Sequence, residues 1–357
     1  MLTTDENRGA TTVIDLARES YRDIALYAPP SGRVEIDLSD NTNLWGAPPA
    51  ALRALTTIGQ EQVTRYPVAF EPALSAALAE YVGVPPSMIA CGCGSDDVLD
   101  CAIRAFAEPG EVLCTPDPSF GMIPVFARTN GLSPVSVPLT SSLDVDADAM
   151  LETDARIIYL CSPNNPTGGA LPRRTVERIV ENARGLVIID QAYVEFGGES
   201  YLDLASSGRP VLVTRTMSKA FGLAGLRVGY GIGSPELVTE LLKARGPYKV
   251  SALAERAAIA ALEKDREWVA DRATDVITNR ARFREELSKR GIASLDSSAN
   301  FVLVPVADCI ATAGRLERAG IRVRALPGLA VIGDAIRVAI GPWEMMQKCV
   351  DALVAAP

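Results

Sequence analysis

Residues 216–230 read TMSKAFGLAGLRVGY, and this stretch decides how the chain is interpreted. It follows the apolar run VLVT, which predicts a buried strand that ends just before Thr216. Lys219 stands among small, hydroxyl-bearing and apolar neighbours, where desolvation lowers the pKa of an amine and makes it nucleophilic. Ser218 and Arg227 add donors that suit a phosphate group. A lone lysine is more often a solvated surface group, so this interpretation depends on further motifs.

Two more motifs follow predicted strands in the same way. Asp190 closes the apolar run at residues 186–189 and is followed at close range by Tyr193. A carboxylate in that position needs a cationic partner, because burying an isolated ion is costly. Asn165 lies in the sequence NNPTG, directly after the apolar run at residues 157–160. Aspartates at strand ends and Asn-Pro turns are more often simple caps and turns, so neither motif is strong alone.

A fourth motif opens a helical pattern near the front of the chain. Gly94, Ser95 and Asp96 precede it, and backbone N–H groups at a helix start bind anions. Ser95 and Asp96 could equally be ordinary helix caps. In open α/β sheets ligands bind at the carboxyl ends of strands, so the motifs together predict one site. That site offers a phosphate cradle, a reactive amine, a buried carboxylate, an amide and a phenol, which suits pyridoxal 5′-phosphate.

Strand and helix patterns alternate from about residue 90 onward, which predicts a mostly parallel sheet covered by helices on both faces. A long charged helical region at residues 252–290, broken near Lys264, then precedes shorter elements. We expect an α/β fold with three parts. An N-terminal segment (1–45) packs with the smaller domain, residues 46–250 form the large cofactor-binding domain, and residues 251–357 form a small α+β domain. The strands expected in the large sheet cover residues 111–115, 134–138, 157–161, 186–190, 211–214 and 227–232.

Composition excludes several classes of function. The chain has 357 residues, 35 Lys and Arg against 44 Asp and Glu, and no histidine. The formal charge of -9 argues against nucleic-acid binding, and the lack of histidine removes His-dependent catalysis and most zinc sites. Seven cysteines without a CxxC pair indicate reduced thiols and no metal site. The first 20 residues lack an apolar leader segment, and no run is long enough to span a membrane, so we expect a cytoplasmic protein.

Residues 216–230, NNPTG at residues 164–168 and DQAY at residues 190–193 together resemble the signature of a known family. It is the fold-type I, pyridoxal-phosphate-dependent aminotransferases of the histidinol-phosphate aminotransferase subgroup. The resemblance extends from about Tyr27 to the C-terminus. It implies the fold-type I transferase architecture, pyridoxal 5′-phosphate as cofactor and a homodimer.

The resemblance also implies roles for single residues. Lys219 would form the Schiff base with the cofactor, and Asp190 would pair with the pyridinium nitrogen. Tyr193 and Asn165 would bond the phenolic oxygen of the ring. Other residues would hold the phosphate or the ring: Gly94, Ser95, Asp96, Thr216, Ser218 and Arg227 around the phosphate, Phe120 stacked on the pyridine, and Tyr66 reaching the phosphate of the neighbouring subunit.

Four residues match substrate-binding positions of the family: Tyr27, Asn43, Arg324 and Arg337. Arginine forks grip a carboxylate or a phosphate, which fits histidinol phosphate or an aromatic amino acid as the amino donor. A 2-oxo acid such as 2-oxoglutarate would be the acceptor in a ping-pong reaction. The family usually has Asn-Glu-Asn-Pro where residues 41–44 read NTNL, Glu at Gln191, and Gly-Thr-Arg-Glu where residues 341–344 read GPWE.

Two alternatives remain at this point. One is a pyridoxal-phosphate-dependent decarboxylase of an amino acid phosphate (threonine-phosphate-type), because close relatives share these motifs and sequence does not show which α-bond is cleaved. The other is a non-catalytic protein that binds the cofactor. Retention of Lys219, Asp190 and Arg227 argues against the second, since a protein without turnover has no chemical need for them.

Overall fold

Strands and helices alternate along most of the chain. The structure, a computed structural model, describes residues 13–22, 24–28 and 32–354. Residues 1–12, on which the expected lack of a leader segment partly rests, lie outside the described residues, as do parts of the predicted N-terminal segment. The strands are β1 (Ile36–Asp37), β2 (Ile89–Cys93), β3 (Val112–Asp117), β4 (Ser133–Pro138), β5 (Ile157–Cys161), β6 (Leu186–Asp190), β7 (Val211–Thr216), β8 (Val228–Ile232), β9 (Phe301–Pro305), β10 (Ile321–Arg322), β11 (Arg324–Leu329) and β12 (Gly333–Ala339).

The helices cover both faces of this framework. They are α1 (Val13–Leu16), α2 (Pro49–Thr56), α3 (Gln60–Thr64), α4 (Pro72–Val82), α5 (Gly94–Phe106), α6 (Ile123–Thr129), α7 (Ala147–Glu152), α8 (Arg173–Asn182), α9 (Pro235–Arg245), α10 (Ala252–Lys264), α11 (Arg266–Lys289), α12 (Cys309–Arg318) and α13 (Trp343–Val354). None of the helices in the described ranges combines the length and apolar character that a bilayer crossing requires.

The larger sheet brings the predicted strand ends to one edge. Within the described residues it has seven strands in the order β2-β8-β7-β6-β5-β3-β4. Strands β4, β3, β5, β6 and β7 are parallel, and β8 is antiparallel to both of its neighbours. The segments after β5, β6 and β7 therefore leave the sheet side by side. The expected α/β fold with a mostly parallel sheet is confirmed.

Strands β5 to β7 are buried on both faces, which explains their continuous apolar sequence. Leu160, Ile189 and Val213 point into one core, whereas Ile188 and Leu212 point into a second core on the other side. Because strand side chains alternate between faces, each core receives every second residue. This burial fixes the positions at which the strands end.

A smaller antiparallel sheet has the order β11-β12-β9. Strand β1 pairs in parallel with β10, with Ile36 opposite Ile321 and Asp37 opposite Arg322. The segment before the large sheet thus joins elements from the last third of the chain. This pairing agrees with the predicted packing of the N-terminal segment, while the domain boundaries stay a prediction.

Several element boundaries differ from the expectations. Strand β2 was not predicted, and α5 begins at Gly94 rather than near residue 98. The long helical region is divided into α10 and α11, and α10 ends at Lys264, where the break was expected. The break falls at Asp265, which is buried and accepts hydrogen bonds from the backbone N–H of Ala50 (2.8 Å) and Ala51 (3.3 Å), so it caps the start of α2.

Strand β8 approaches the β2–α5 turn so closely that only glycine fits at position 229. A Cβ atom built on Gly229 would lie 2.1 Å from the backbone nitrogen of Ser95 and 2.4 Å from the carbonyl carbon of Gly94. Backbone atoms cannot move aside as a flexible side chain can. Gly229 therefore sets the distance between the sheet and the first turn of α5.

We expect Gly229→Ala to lower the free energy of unfolding by about 1–3 kcal/mol, because the added methyl group overpacks a backbone contact. Gly225→Ala is the matched control, since a Cβ there meets nothing within 4 Å. Urea denaturation of both variants measures the difference. Equal stability of the two variants would contradict this account of Gly229.

Candidate active site

Asp190 is a buried carboxylate at the strand-end edge of the sheet. It ends β6, and only 3% of its surface is exposed. Tyr159 in the neighbouring strand β5 donates a hydrogen bond from its hydroxyl to Asp190 Oδ2 (2.8 Å), and the backbone N–H of Ala192 donates to Oδ1 (3.1 Å). Burial raises the pKa of Asp190 to about 6, although these hydrogen bonds act to lower it. Within the described residues, no cation lies within salt-bridge distance of this carboxylate.

Lys219 follows β7 and lies close to the same edge. Its Nζ donates to the backbone carbonyl of Asp40 (3.2 Å) and lies 5.7 Å from the centre of the Tyr193 ring. Desolvation, with a further contribution from the positive charge of Arg337, lowers the pKa of Lys219 to about 8. A considerable fraction of this amine is therefore neutral near pH 7 to 8 and able to attack a carbonyl carbon.

The start of α5 and Arg227 form a cradle for an anion. Gly94 begins the helix at φ 80°, and a Cβ atom there would lie 2.5 Å from Arg227 Nη2. Arg227 contacts the Asp96 carboxylate (3.0 Å) and the Ser218 hydroxyl (3.5 Å). The Thr216 hydroxyl accepts a hydrogen bond from the backbone N–H of Ser218 (3.1 Å). Helix N–H groups, hydroxyls and a guanidinium group are the donors that a phosphate requires.

The Asp96 side chain has a role that the sequence did not reveal. Its carboxylate pairs with Arg227, so it orients the guanidinium group. A carboxylate would repel a phosphate, and Asp96 can therefore favour an anion only through its backbone N–H at the start of α5. Ser95, the preceding residue, lies in the first turn of the same helix.

Asn165, Tyr193 and Arg337 form a second group of residues close to Lys219. Arg337 donates to Asn165 Oδ1 (2.6 Å), which leaves the amide N–H groups of Asn165 available to another acceptor. The Tyr193 hydroxyl accepts from Asn41 Nδ2 (3.2 Å). Burial raises the pKa of Tyr193 to about 12, so its hydroxyl stays protonated and can donate. An amide and a phenol are thus available for an oxygen acceptor.

The four residues predicted on the substrate side differ in their contacts. Arg324 donates to the Asp40 carboxylate (2.9 Å) and to the Tyr27 hydroxyl (3.2 Å). Arg337 is buried and also donates to the backbone carbonyl of Ser39 (2.7 Å). Asn43 donates to the backbone carbonyl of Ala220 (2.9 Å) and accepts from the backbone N–H of Trp45 (3.0 Å). Asn43 therefore holds its own loop against the Lys219 segment.

Phe120 and Tyr66 differ in their exposure to solvent. Phe120 is half-buried in the turn after β3, and its neighbour Ser119 donates to Asn164 Oδ1 (2.8 Å) in the loop that carries Asn165. Tyr66 is 83% exposed and stacks on Tyr248 with ring centroids 5.0 Å apart. Tyr66 therefore points outward, into solvent.

Three residues of the site were not singled out from the sequence as functional. Tyr159 supports Asp190, Asn41 supports Tyr193, and Asp40 contacts both Lys219 and Arg324. Asp40 and Asn41 lie close in sequence to Asn43, which the resemblance assigns to substrate binding, and this proximity was the available signal. Tyr159 could not be predicted as a site residue, because an aromatic residue within an apolar strand is typical of the hydrophobic core.

The residues present fit pyridoxal 5′-phosphate. A buried carboxylate without a protein cation suits a pyridinium nitrogen, an amine of lowered pKa suits an aldehyde, and the Gly94–Arg227 cradle suits a phosphate. Arg227, Ser218 and the first turn of α5 would hold the phosphate, and Asp190 would face the ring nitrogen. Among the described residues there is no cluster of potential metal ligands.

Comparison with known proteins agrees with this geometry. The family model for aminotransferases of class I and II matches residues 33–353. The chain belongs to the aminotransferase class I and II family. It is 37% identical to a histidinol-phosphate aminotransferase from Roseiflexus castenholzii, over 89% of this chain and 88% of that protein. It is 36% identical to one from Methylibium petroleiphilum over 99% of both.

A solved structure is similar in fold as well. The histidinol-phosphate aminotransferase from Sinorhizobium meliloti, solved in complex with pyridoxal-5′-phosphate, superposes with a TM-score of 0.82 at 26% identity and covers 90% of each chain. The present aminotransferase is an enzyme that depends on pyridoxal 5′-phosphate and acts on small amino and keto substrates. The predicted family, fold class, enzyme class and cofactor are confirmed.

We expect Asp190→Asn to stabilise the aminotransferase without its cofactor while weakening cofactor binding. Burial raises the pKa of Asp190 from 3.8 to about 6, so the folded state is destabilised as the pH rises through this interval and the carboxylate ionises. The free energy of unfolding of the variant should exceed that of the wild type by about 1–3 kcal/mol at pH 8, and the two should be equal below about pH 4.

Urea denaturation of the cofactor-free protein at several pH values measures this gain, and fluorescence titration with pyridoxal 5′-phosphate measures cofactor affinity. Asp203→Asn, at an exposed carboxylate paired with Arg173, is the control for removal of one charge. A variant that is no more stable than the wild type at pH 8 would refute the assigned burial cost.

Proposed function

We propose that this enzyme moves an amino group from an amino acid or amino phosphate to a 2-oxo acid such as 2-oxoglutarate, in a ping-pong cycle centred on Lys219. One observation carries the proposal. An amine with a pKa of about 8 follows β7, and a buried carboxylate that pairs with no cation of the described residues ends the adjacent parallel strand β6. Together they suit a cofactor with an aldehyde and a cationic ring nitrogen.

Each residue then has a distinct task. Bound pyridoxal 5′-phosphate supplies an aldehyde that condenses with amines and a ring that takes up an electron pair. Lys219 Nζ would take the α-proton of the donor and deliver it to the former aldehyde carbon of the cofactor, and an amine titrating near pH 8 is suited to both transfers. Asp190 keeps the ring nitrogen protonated, and Asn165 and Tyr193 donate to the phenolic oxygen. Arg227, with the start of α5, holds the phosphate.

The anionic end of the substrate belongs between Arg337 and Arg324. Both guanidinium groups face the segment that carries Asp40. The relatives are named for histidinol phosphate, which makes that compound one candidate donor. An aromatic amino acid is the second candidate, favoured by the exposed ring of Tyr27 beside Arg324.

The two alternatives from the sequence are not favoured. The related proteins and structures reported above are aminotransferases, and neither a decarboxylase nor a non-catalytic protein is among them. An assay for CO₂ release with candidate amino acids separates decarboxylation from amino transfer.

Lys219→Ala should abolish amino transfer, with a loss of at least about 10³-fold, because no other amine takes its place. The absorption band of the Schiff base between Lys219 and the cofactor should disappear as well. Lys243→Ala, at an exposed lysine paired with Glu240, is the control and should keep both properties. Activity and absorption spectra of both variants provide the measurement. A coloured and active Lys219→Ala protein would disprove the assignment.

A homodimer in which Tyr66 reaches the neighbouring active site is also part of the proposal. Tyr66 and Tyr248 stack and are both exposed, so they present an aromatic surface to the outside. Behind them the fully buried pair Glu71 and Arg245 (2.6 Å) ties the two segments together. A rigid, exposed aromatic surface favours contact with a second copy of the chain.

Mixing two inactive variants tests this arrangement. Tyr66→Ala subunits keep Lys219, and Lys219→Ala subunits keep Tyr66, so a mixed dimer has one complete site. Reassociation from an equal mixture should restore about a quarter of the wild-type activity, because half of the dimers are mixed. Each variant alone is the control. A mixture no more active than its components, or a monomeric protein in sedimentation analysis, would reject the proposal.

Two further predictions accompany this function. Residues 46–250 are proposed to form the cofactor-binding domain, and residues 1–45 to pack with the smaller domain at 251–357. The pairing of β1 with β10 supports the second part. A cytoplasmic location is also proposed, and the seven free cysteines agree with a reducing compartment.

A further inference from the structure

Arg324 and Arg337 face each other directly across β11 and β12. Residues in this register lie on the same face of a sheet, so two positive charges stand side by side. Like charges opposite one another are destabilising unless an anion lies with them. The charges around this pair therefore determine which substrate group can bind there.

Asp40 already supplies one anion to the pair. Its Oδ1 lies 2.9 Å from Arg324 Nη2, and the side chain of Asp40 is 53% exposed while that of Arg324 is 20% exposed. The backbone carbonyl of the same residue accepts a hydrogen bond from Lys219 Nζ (3.2 Å). The Asp40 carboxylate thus borders solvent in the cleft that also contains the reactive amine.

Arg337 differs from Arg324 because its partners are uncharged. It donates to Asn165 Oδ1 and to the backbone carbonyl of Ser39, and among the described residues it forms no salt bridge. Arg324, Arg337 and Asp40 together form an anion locus. The negative charge of Asp40 also acts to raise the pKa of both Arg337 and Lys219, so its effect extends beyond its direct partner Arg324. Two arginines and one aspartate leave a net charge of +1, which a single carboxylate neutralises.

We infer that Asp40 is a specificity-determining residue that makes this locus accept one carboxylate in preference to a phosphate monoester. A phosphate monoester carries nearly two negative charges above pH 7 and would meet the Asp40 carboxylate beside Arg324. The inference rests on the proposed function and narrows its donor to one that presents a carboxylate, and not a phosphate, to the arginine pair.

Binding of two matched ligands without an amino group tests this directly. Phenyl phosphate and 3-phenylpropionate are titrated calorimetrically into the cofactor-loaded enzyme at pH 8, where the first is a dianion and the second a monoanion. The wild type should bind 3-phenylpropionate more tightly. Asp40→Asn keeps an acceptor for Arg324 but removes the charge, so the affinity ratio should shift toward phenyl phosphate by about fivefold or more.

Two further variants make the result specific. Asp40→Ser removes the charge and the contact with Arg324, and it should shift the ratio in the same direction. Glu35→Gln removes one charge from the same segment, at an exposed carboxylate paired with Lys348, and should leave the ratio unchanged. An unchanged ratio in both Asp40 variants, or a wild type that prefers phenyl phosphate, would overturn the inference.

Failure of the proposed function would be seen in the turnover assay and not in the affinity ratios. If the wild type does not transfer an amino group from L-phenylalanine or from histidinol phosphate to any 2-oxo acid, the proposed function fails. The affinity ratios still decide the role of Asp40, because the two ligands do not react. A shifted ratio with turnover of L-phenylalanine, and with poorer turnover of histidinol phosphate, supports both.

Discussion

The Asp190 carboxylate is held inside an apolar sheet edge by hydrogen bonds from Tyr159 and Ala192, and no cation of the described residues pairs with it. A buried charge in this condition is tolerated when a ligand completes it, and the rest of the site is arranged around that requirement. Strand β6 brings Asp190 to the edge, and the parallel neighbour β7 leads to Lys219. The chemistry therefore depends on the order of strands in the sheet as much as on the residues.

Close backbone contacts keep that arrangement rigid. Gly229 lets β8 approach the first turn of α5, and Gly94 lets the same turn approach Arg227. The loop at residues 40–46 is fastened to the Lys219 segment by Asn43. It carries Asp40 and Asn41 to the lysine, so one segment from the front of the chain contacts the anion locus and Tyr193.

Much of the fold was predictable because its strands are buried on both faces. Continuous apolar runs predicted β5 and β6 with their observed bounds. The motifs at the strand ends indicated Lys219 and Asp190 as candidate site residues. Strand β2 escaped prediction because its sequence IACGC has little apolar pattern and two small residues. Tyr159 escaped because nothing in an apolar strand marks which hydroxyl meets a carboxylate in the next strand.

The amino-acid sequence by itself determined the class of protein, since residue types and spacing at the strand ends are sufficient for a family signature and its cofactor chemistry. Only the tertiary structure decided the charge at the substrate end. Asp40 and Arg324 are separated by 284 residues in the chain, and Arg324 meets Arg337 only through the register of β11 and β12. Coulomb interactions depend on distances in space, and the sequence does not give distances between segments so far apart.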